Sequence, residues 1–341
     1  PLSPIPRDTS VSGRISPTKP QDIQLTGRFM MITATRIMEE PIIHPGMDDR
    51  IGTNINGPSV IRVPDWVEES LGRYYLYFAH HKGTFIRLAY ADDLKGPWQI
   101  YSPGVLDVSE SLFAPTGPPE PPPDQRPSWA DILPGGYLYA HVASPDVHID
   151  ESGKRIRMYY HGLLDDGDQK TRVAYSQDGL SFVPQTPLLG PPYFRVIRYK
   201  EWLYATTWQG RFLRARDWDG PFEVQHDPGA AMRLFGPDSP LEPRHPALWL
   251  KGDTLHLFFS CVGDCPEQIY HCQCELGDDW DRWVFTEPKV LLSPEKVWEG
   301  SDLPRKPSVV GTATSRLCEL RDPGIFAQEG KVYILYSGAG E

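Results

Sequence analysis

One pattern recurs along the chain and limits what it can fold into: a proline-containing lead-in, a short apolar strand, a loop, then an aromatic-rich strand. The lead-ins are Asn56-Gly57-Pro58, Ser144-Pro145-Asp146, Pro191-Pro192-Tyr193-Phe194-Arg195, Arg244-His245-Pro246 and Arg321-Asp322-Pro323. Their partner strands include Tyr74-Tyr75-Leu76-Tyr77-Phe78, Arg157-Met158-Tyr159-Tyr160 and Leu255-His256-Leu257-Phe258-Phe259. Such β-branched and aromatic runs suit a pleated, half-buried surface. Third strands follow the first four modules, as in Ile86-Arg87-Leu88-Ala89-Tyr90-Ala91, and turns such as Lys95-Gly96-Pro97-Trp98 close them.

Pro58, Pro145, Pro192, Pro246 and Pro323 lie 87, 47, 54 and 77 residues apart. A blade of four antiparallel strands needs roughly 40 to 50 residues, so the long steps carry inserted loops, the first around Pro115 to Pro134. Five modules in a radial array predict an all-β, five-bladed propeller over residues 29–341, preceded by a Pro/Ser-rich extension, residues 1–28. A two-sheet sandwich is the alternative. The fifth module reaches Gly340-Glu341 before any third strand, which implies a fragment or completion by the segment Phe29 to Ile37.

Composition narrows the function classes. The balance of 34 Lys+Arg against 45 Asp+Glu gives a net charge of −11, the wrong sign for a phosphate-binding face, so nucleic acid is not an expected partner. No apolar run approaches the roughly 18 residues of a membrane span. The compartment and the oligomeric state cannot be read from the sequence. Five late cysteines, Cys261, Cys265, Cys272, Cys274 and Cys318, are too irregular for a disulfide framework and read as buried thiols or one cross-strand bridge.

The lead-in pattern, Leu320-Arg321-Asp322-Pro323 with Val332-Tyr333-Ile334-Leu335-Tyr336-Ser337, and Tyr90-Ala91-Asp92-Asp93-Leu94-Lys95-Gly96-Pro97-Trp98 resemble the five-bladed propeller glycosidases. That superfamily includes the family 43 arabinanases and xylosidases and the family 32 invertases. The resemblance implies a carbohydrate-active enzyme, a glycoside hydrolase acting on an oligo- or polysaccharide at one mouth of the central channel. It also implies three carboxylates on the first three blades. Here the first lead-in carries Asn56 and Gly57 where that family has its Asp, and the third offers no Glu.

Two carboxylates are the physical minimum for hydrolysis. Asp146 and Asp322 are the expected pair, with His245 a further proton carrier because an imidazole titrates near neutrality. Asn56, His80, His81, His161, Arg195, Trp208, Arg244, Glu299 and Arg321 are candidate substrate contacts. Strand alternation allows only one of His80 and His81 to face the channel. The arginines suggest a uronate or sulfated sugar, which opens a second mechanism, a polysaccharide lyase using His and Arg. The third alternative is a non-catalytic sugar-binding propeller. No cofactor is expected. Calcium is a weak possibility at the histidines and aspartates, and no zinc or calcium spacing is present.

Overall fold

The aromatic-rich runs pair as antiparallel sheets, in meander order. The computed structural model of the protein describes residues 31–126, 136–225, 239 and 241–341. The first sheet holds β1 (Ile55–Arg62), β2 (Tyr74–His80), β3 (Phe85–Ala91) and β4 (Gln99–Asp107). The second holds β5 (Val142–Asp150), β6 (Arg155–Leu163), β7 (Gln169–Ser176) and β8 (Val183–Pro184). The third is β9 (Arg195–Tyr199), β10 (Trp202–Thr206), β11 (Phe212–Ala215) and β12 (Glu223–Val224). The fourth is β13 (Glu242–Lys251), β14 (Thr254–Val262), β15 (Ile269–Glu275) and β16 (Lys289–Leu292). The fifth has two strands, β17 (Leu320–Gln328) and β18 (Lys331–Gly338). Five four-stranded blades are therefore corrected to four plus a two-stranded module. Among the described residues helix is limited to single 3₁₀ turns.

The second strands of the four four-stranded sheets, β2, β6, β10 and β14, are buried on both faces, because each of these sheets packs against a neighbour on either side, whereas β18 is only partly buried. Tyr75, Tyr77 and Leu88 meet Met158, Tyr160 and Phe182 between the first and second sheets. Tyr159 and Val173 meet Leu203 and Leu213 between the second and third. Tyr204 and Phe212 meet Leu255 and Trp283 between the third and fourth. Ile269 and Leu292 meet Leu320 between the fourth and fifth. Finally Val60, Leu76 and Phe78 meet Phe326 and Leu335, which closes the circle from fifth to first. Burying both faces of each sheet this way removes most open edges, the advantage of a radial array.

The strand β18 has no third strand hydrogen-bonded to it among the described residues. Ala34 nevertheless packs beside Ile334 and Tyr336, and Arg36 is bonded to Glu299. The expected completing segment thus runs against the fifth module at residues 34–36 without forming a ladder; its first residues, 29 and 30, and the extension, residues 1–28, lie outside the described residues. All five cysteines are free thiols, with Cys265 exposed and the others buried.

The first strands line a channel of about 150 Å³, walled by Ser59, Asp146, Arg195, Ala247 and Gly324 among others. At one end of it the lead-ins share a conformation. The β1, β5, β13 and β17 ladders each slip, at Asn56/Ser59, Ala143/Asp146, Arg244/Ala247 and Arg321/Gly324. The slipped residues Gly57, Ser144, His245 and Asp322 have φ of 63°, 51°, 52° and 48°, each followed by a proline that has no ladder N–H to lose. Tyr193, at φ 68°, holds the same place ahead of β9. Four non-glycine residues in left-handed backbone cost on the order of 1 to 3 kcal/mol each, and such strain persists where packing imposes it.

Candidate active site at the channel mouth

The five positive-φ lead-in positions set what the mouth presents: no side chain at Gly57, then a hydroxyl, a phenol, an imidazole and a carboxylate. A Cβ on Gly57 would lie 3.3 Å from the Ser144 Cα, closer than an ordinary contact, and the backbone there has positive φ, so this position favours glycine. Tyr193 leans across, its hydroxyl hydrogen-bonded to Ser144, and burial beside Asp322 and Glu341 pushes its pKa up. The Tyr193 ring stacks on His245 at 4.9 Å and on His161 at 4.5 Å. His161 meets His141 at 5.5 Å, and His141 meets Tyr139 at 5.0 Å. These rings form an arc over the second and third modules.

Two imidazoles of the arc, His141 and His161, are held neutral. Burial pulls His141 down to about 4 and His161 well below its ordinary value, with neighbouring His and Arg groups adding to the effect at His161. Among the described residues His161 Nδ1 is buried without a hydrogen-bond partner.

The fourth and fifth modules present the opposite chemistry. Arg244 is paired bidentately with Glu267, and Arg321 reaches Glu267 at 3.0 Å, Glu319 at 2.5 Å and Glu341 at 2.8 Å. Glu341 also accepts from Asn56 at 3.2 Å and lies 2.7 Å from His81 Nδ1. Burial alone would push the pKa of Glu341 up, but His81, Arg321 and His245 outweigh it and hold the carboxylate ionised. Where arc and cluster meet, His245 Nδ1 lies 2.9 Å from Asp322 Oδ1, and Asp322 Oδ2 is buried without a hydrogen-bond partner among the described residues.

Of the residues singled out from the sequence, the mouth gathers Asn56, His81, His161, His245, Arg244, Arg321 and Asp322. His80 turns away, packed against Gly52, and burial with Arg87 nearby lowers its pKa to about 4. Asp146 lies two residues past the bulge, in the channel wall. There it pairs with His148 at 2.8 Å and accepts the Val196 N–H of the next module at 2.8 Å, while Ser144 takes the mouth position. Arg195 donates to the carbonyls of Ser144, Pro145 and Phe194, which ties the second lead-in to the third. Trp208 follows β10, partly exposed, its N–H on the Pro192 carbonyl.

Glu299 is not at the mouth. It is a hub against β18 that accepts from Arg36, from Tyr336 at 2.6 Å and from the N–H groups of Glu295 and Lys296. Of the three candidate arginines, Arg195 donates to carbonyls, Arg244 is held by Glu267, and Arg321 faces three carboxylates, its Nε and Nη2 in ion pairs without hydrogen-bond geometry. Among the described residues no group of three or more His, Cys, Asp or Glu is arranged to hold a metal ion.

Sequence reasoning missed Tyr139, Tyr193, Glu267, Glu319 and Glu341. Tyr193 had no signal, since it precedes Phe194 where the residue at the same place in the other lead-ins directly precedes a proline. Glu267 and Glu341 had none, because their pairing partners lie twenty or more residues away, whereas Glu319 stands two residues before its partner Arg321.

The architecture is an all-β propeller, a fold shared with solved family-43 glycoside hydrolases. A thermostable family-43 glycoside hydrolase superposes with a TM-score of 0.53 at 12% identity, over 83% of each chain. The GH43_1 enzyme from Xanthomonas citri gives 0.53 at 12%, over 87% of this chain and 83% of its own. CoXyl43, a GH43 β-xylosidase/α-arabinofuranosidase from a compost microbial metagenome solved with xylotriose, gives 0.51 at 12%, over 87% of each. Identities this low establish the fold alone. The chain matches no family model. It is 32% identical over 306 residues, 84% of its length and 81% of the relative's, to uncharacterized protein R118 of Acanthamoeba polyphaga mimivirus, and it belongs to the same family as that protein.

Proposed function

We propose that the protein is a carbohydrate-active enzyme that binds a saccharide over the channel mouth and hydrolyses a glycosidic bond there. The observation that carries this reading is Asp322. It is held on left-handed backbone with one oxygen 2.9 Å from His245 and the other without a hydrogen-bond partner among the described residues. A buried carboxylate oxygen left without a partner is costly, and a water or a sugar hydroxyl satisfies it. In this reading Asp322 with His245 moves the proton. Glu341, fixed as an anion, faces the positive charge that develops at the anomeric carbon. Tyr193 and the imidazole arc supply ring faces for a sugar. Asp146 holds the channel wall, and the two-stranded module serves as the fifth blade of the ring.

A panel of aryl glycosides and polysaccharides, assayed for new reducing ends and for near-ultraviolet absorbance, tests the reading. Reducing ends without absorbance support hydrolysis, and absorbance would indicate elimination instead. Asp322→Asn is expected to lower turnover by roughly 10² to 10⁴, the usual worth of a positioned proton carrier, with the melting temperature retained. Wild-type turnover in that variant would refute the assignment.

One observation favours a non-catalytic sugar-binding propeller as second reading. Among the described residues the acids whose pKa is pushed up are Asp264 and Glu319, and neither stands beside Asp322 in the arc. Saccharide binding without turnover, unchanged in Asp322→Asn, would decide for it.

A further inference from the structure

Two cysteines flank the thinnest seam of the ring. Among the described residues the buried apolar contact between the fourth and fifth modules is the smallest of the five, Ile269 and Leu292 on one side and Leu320 on the other. The fifth module, with two strands, also has the least sheet of its own. The two backbones meet at an isolated parallel bridge, Glu267 to Glu319, where the Leu320 N–H donates to the Glu267 carbonyl at 2.9 Å. Both glutamates of the bridge pair with Arg321, which also pairs with Glu341, so the seam carries the ion cluster of the mouth.

Cys265 stands two residues before Glu267, and Cys318 one residue before Glu319. In parallel strands about 4.8 Å apart, with a rise of about 3.3 Å per residue, such a pair has its Cα atoms roughly 6 Å apart, within the range of about 4.4 to 6.8 Å that disulfides span. The Cys318 thiol is raised by burial first, and the Cys265 sulfur adds to the shift, so the two sulfurs lie in each other's field. They differ in access, Cys265 being exposed and Cys318 buried. An accessible thiol beside a sheltered one is the arrangement of an attacking and a resolving cysteine. The other three thiols are not placed for exchange. Cys261, Cys272 and Cys274 are buried in the apolar clusters of the fourth sheet, and burial raises all three, Cys274 to about 12. A thiol held protonated and out of water is a poor nucleophile.

We propose that Cys265 and Cys318 close a disulfide across this seam by exchange with a low-molecular-weight disulfide, joining the fourth and fifth modules covalently. The Cys265 thiolate attacks one sulfur of the oxidant and expels one small thiol, leaving a mixed disulfide. Cys318 then gives up its proton and attacks the Cys265 sulfur, which expels the second small thiol. The two protein thiols lose two electrons and two protons, and the oxidant takes up both as it becomes two thiols. The bond fixes Glu267 against Glu319, and with them the Arg321 pairs that hold Glu341 at the mouth. The assignment does not depend on hydrolysis there.

Equilibrating the reduced full chain with glutathione and oxidised glutathione at rising ratios tests this, with acid quenching, unfolding, blocking of the remaining thiols and peptide mapping by mass spectrometry. The oxidised chain should keep 5 − 2 = 3 blockable thiols, with Cys265 and Cys318 recovered in one linked pair of peptides. The bond spans 318 − 265 = 53 residues, and closing a loop of that size should raise the melting temperature by about 5 °C, a rise that a reducing dithiol reverses. Cys265→Ser, at an exposed position, should keep the fold and show neither the bond nor the rise. Cys318→Ala should stop at a glutathione adduct on Cys265. Linkage among Cys261, Cys272 and Cys274 instead, five blockable thiols at the most oxidising ratio, or an equal rise in Cys265→Ser would overturn the assignment.

Discussion

The two halves of the mouth solve one problem in opposite ways. Over the second and third modules, polar rings are buried neutral: Tyr139, His141, His161 and Tyr193 pack ring against ring, tilted or edge-on, and burial keeps the imidazoles uncharged. Over the fourth and fifth, charges are buried in pairs and triplets around Arg244 and Arg321. A neutral arc tolerates the loss of one member, since stacking is a sum of modest terms. An ion cluster does not, because each removal leaves a partner charged, buried and alone.

Arg321→Leu tests that asymmetry where the effect is largest. It strips Glu319 of its ion pair and leaves Glu267 with Arg244 and Glu341 with His81, so a loss of roughly 3 to 5 kcal/mol in urea unfolding is expected. His161→Phe, in the arc, should cost less than about 1.5 kcal/mol because its neutral ring is replaced by one of similar volume. Equal losses from the two substitutions would end the contrast.

Acid should open the neutral half first. A histidine whose folded pKa lies below its unfolded value binds its proton more readily when unfolded. Its contribution is therefore complete above the unfolded pKa and is lost as pH falls from about 6.5 toward the folded value. For His141, lowered from 6.5 to about 4, the loss is on the order of 3 kcal/mol at most. His80, His256 and His271, each lowered to about 4, add to it, although His256 and His271 share a 3.0 Å contact and do not add independently. Urea midpoints between pH 7 and 4.5 should fall steadily and fall less in His141→Phe. A flat profile over that window would mean that these imidazoles are solvated.

How much of this was legible in the sequence differs between the same two levels. The modules were, because strands such as Tyr74–His80 carry aromatic runs that a pleated surface accounts for. The bulges were not. A residue before proline is ordinarily held to extended backbone, yet Ser144, His245 and Asp322 adopt positive φ because packing at the mouth imposes it. That slip moves the mouth position from Asp146 to Ser144. The ion cluster was half legible: Arg244 and Arg321 stand at recognisable lead-ins, but Glu267 meets Glu319 only through a bridge between the fourth and fifth modules.

The smallest effect is also the one that separates wall from mouth. Burial raises the Asp146 carboxyl, but His148 and Arg195, with the Val196 N–H, outweigh it and hold the group below its ordinary value. Its contribution is then present above the unfolded pKa of about 3.9 and fades as pH falls through the lower folded value. In Asp146→Asn an amide oxygen can still accept the Val196 N–H, so the loss is confined to the charge on His148, about 1.5 kcal/mol. That loss should shrink as the variant and the parent are compared at pH values progressively below the ordinary carboxylate range, where the parent carboxylate is also protonated. Turnover should stay within about threefold of the parent, because Ser144 rather than Asp146 stands at the mouth. A fall in turnover comparable to that of Asp322→Asn, at unchanged stability, would place Asp146 among the reacting groups. The division between a structural wall and a chemical mouth would then be wrong.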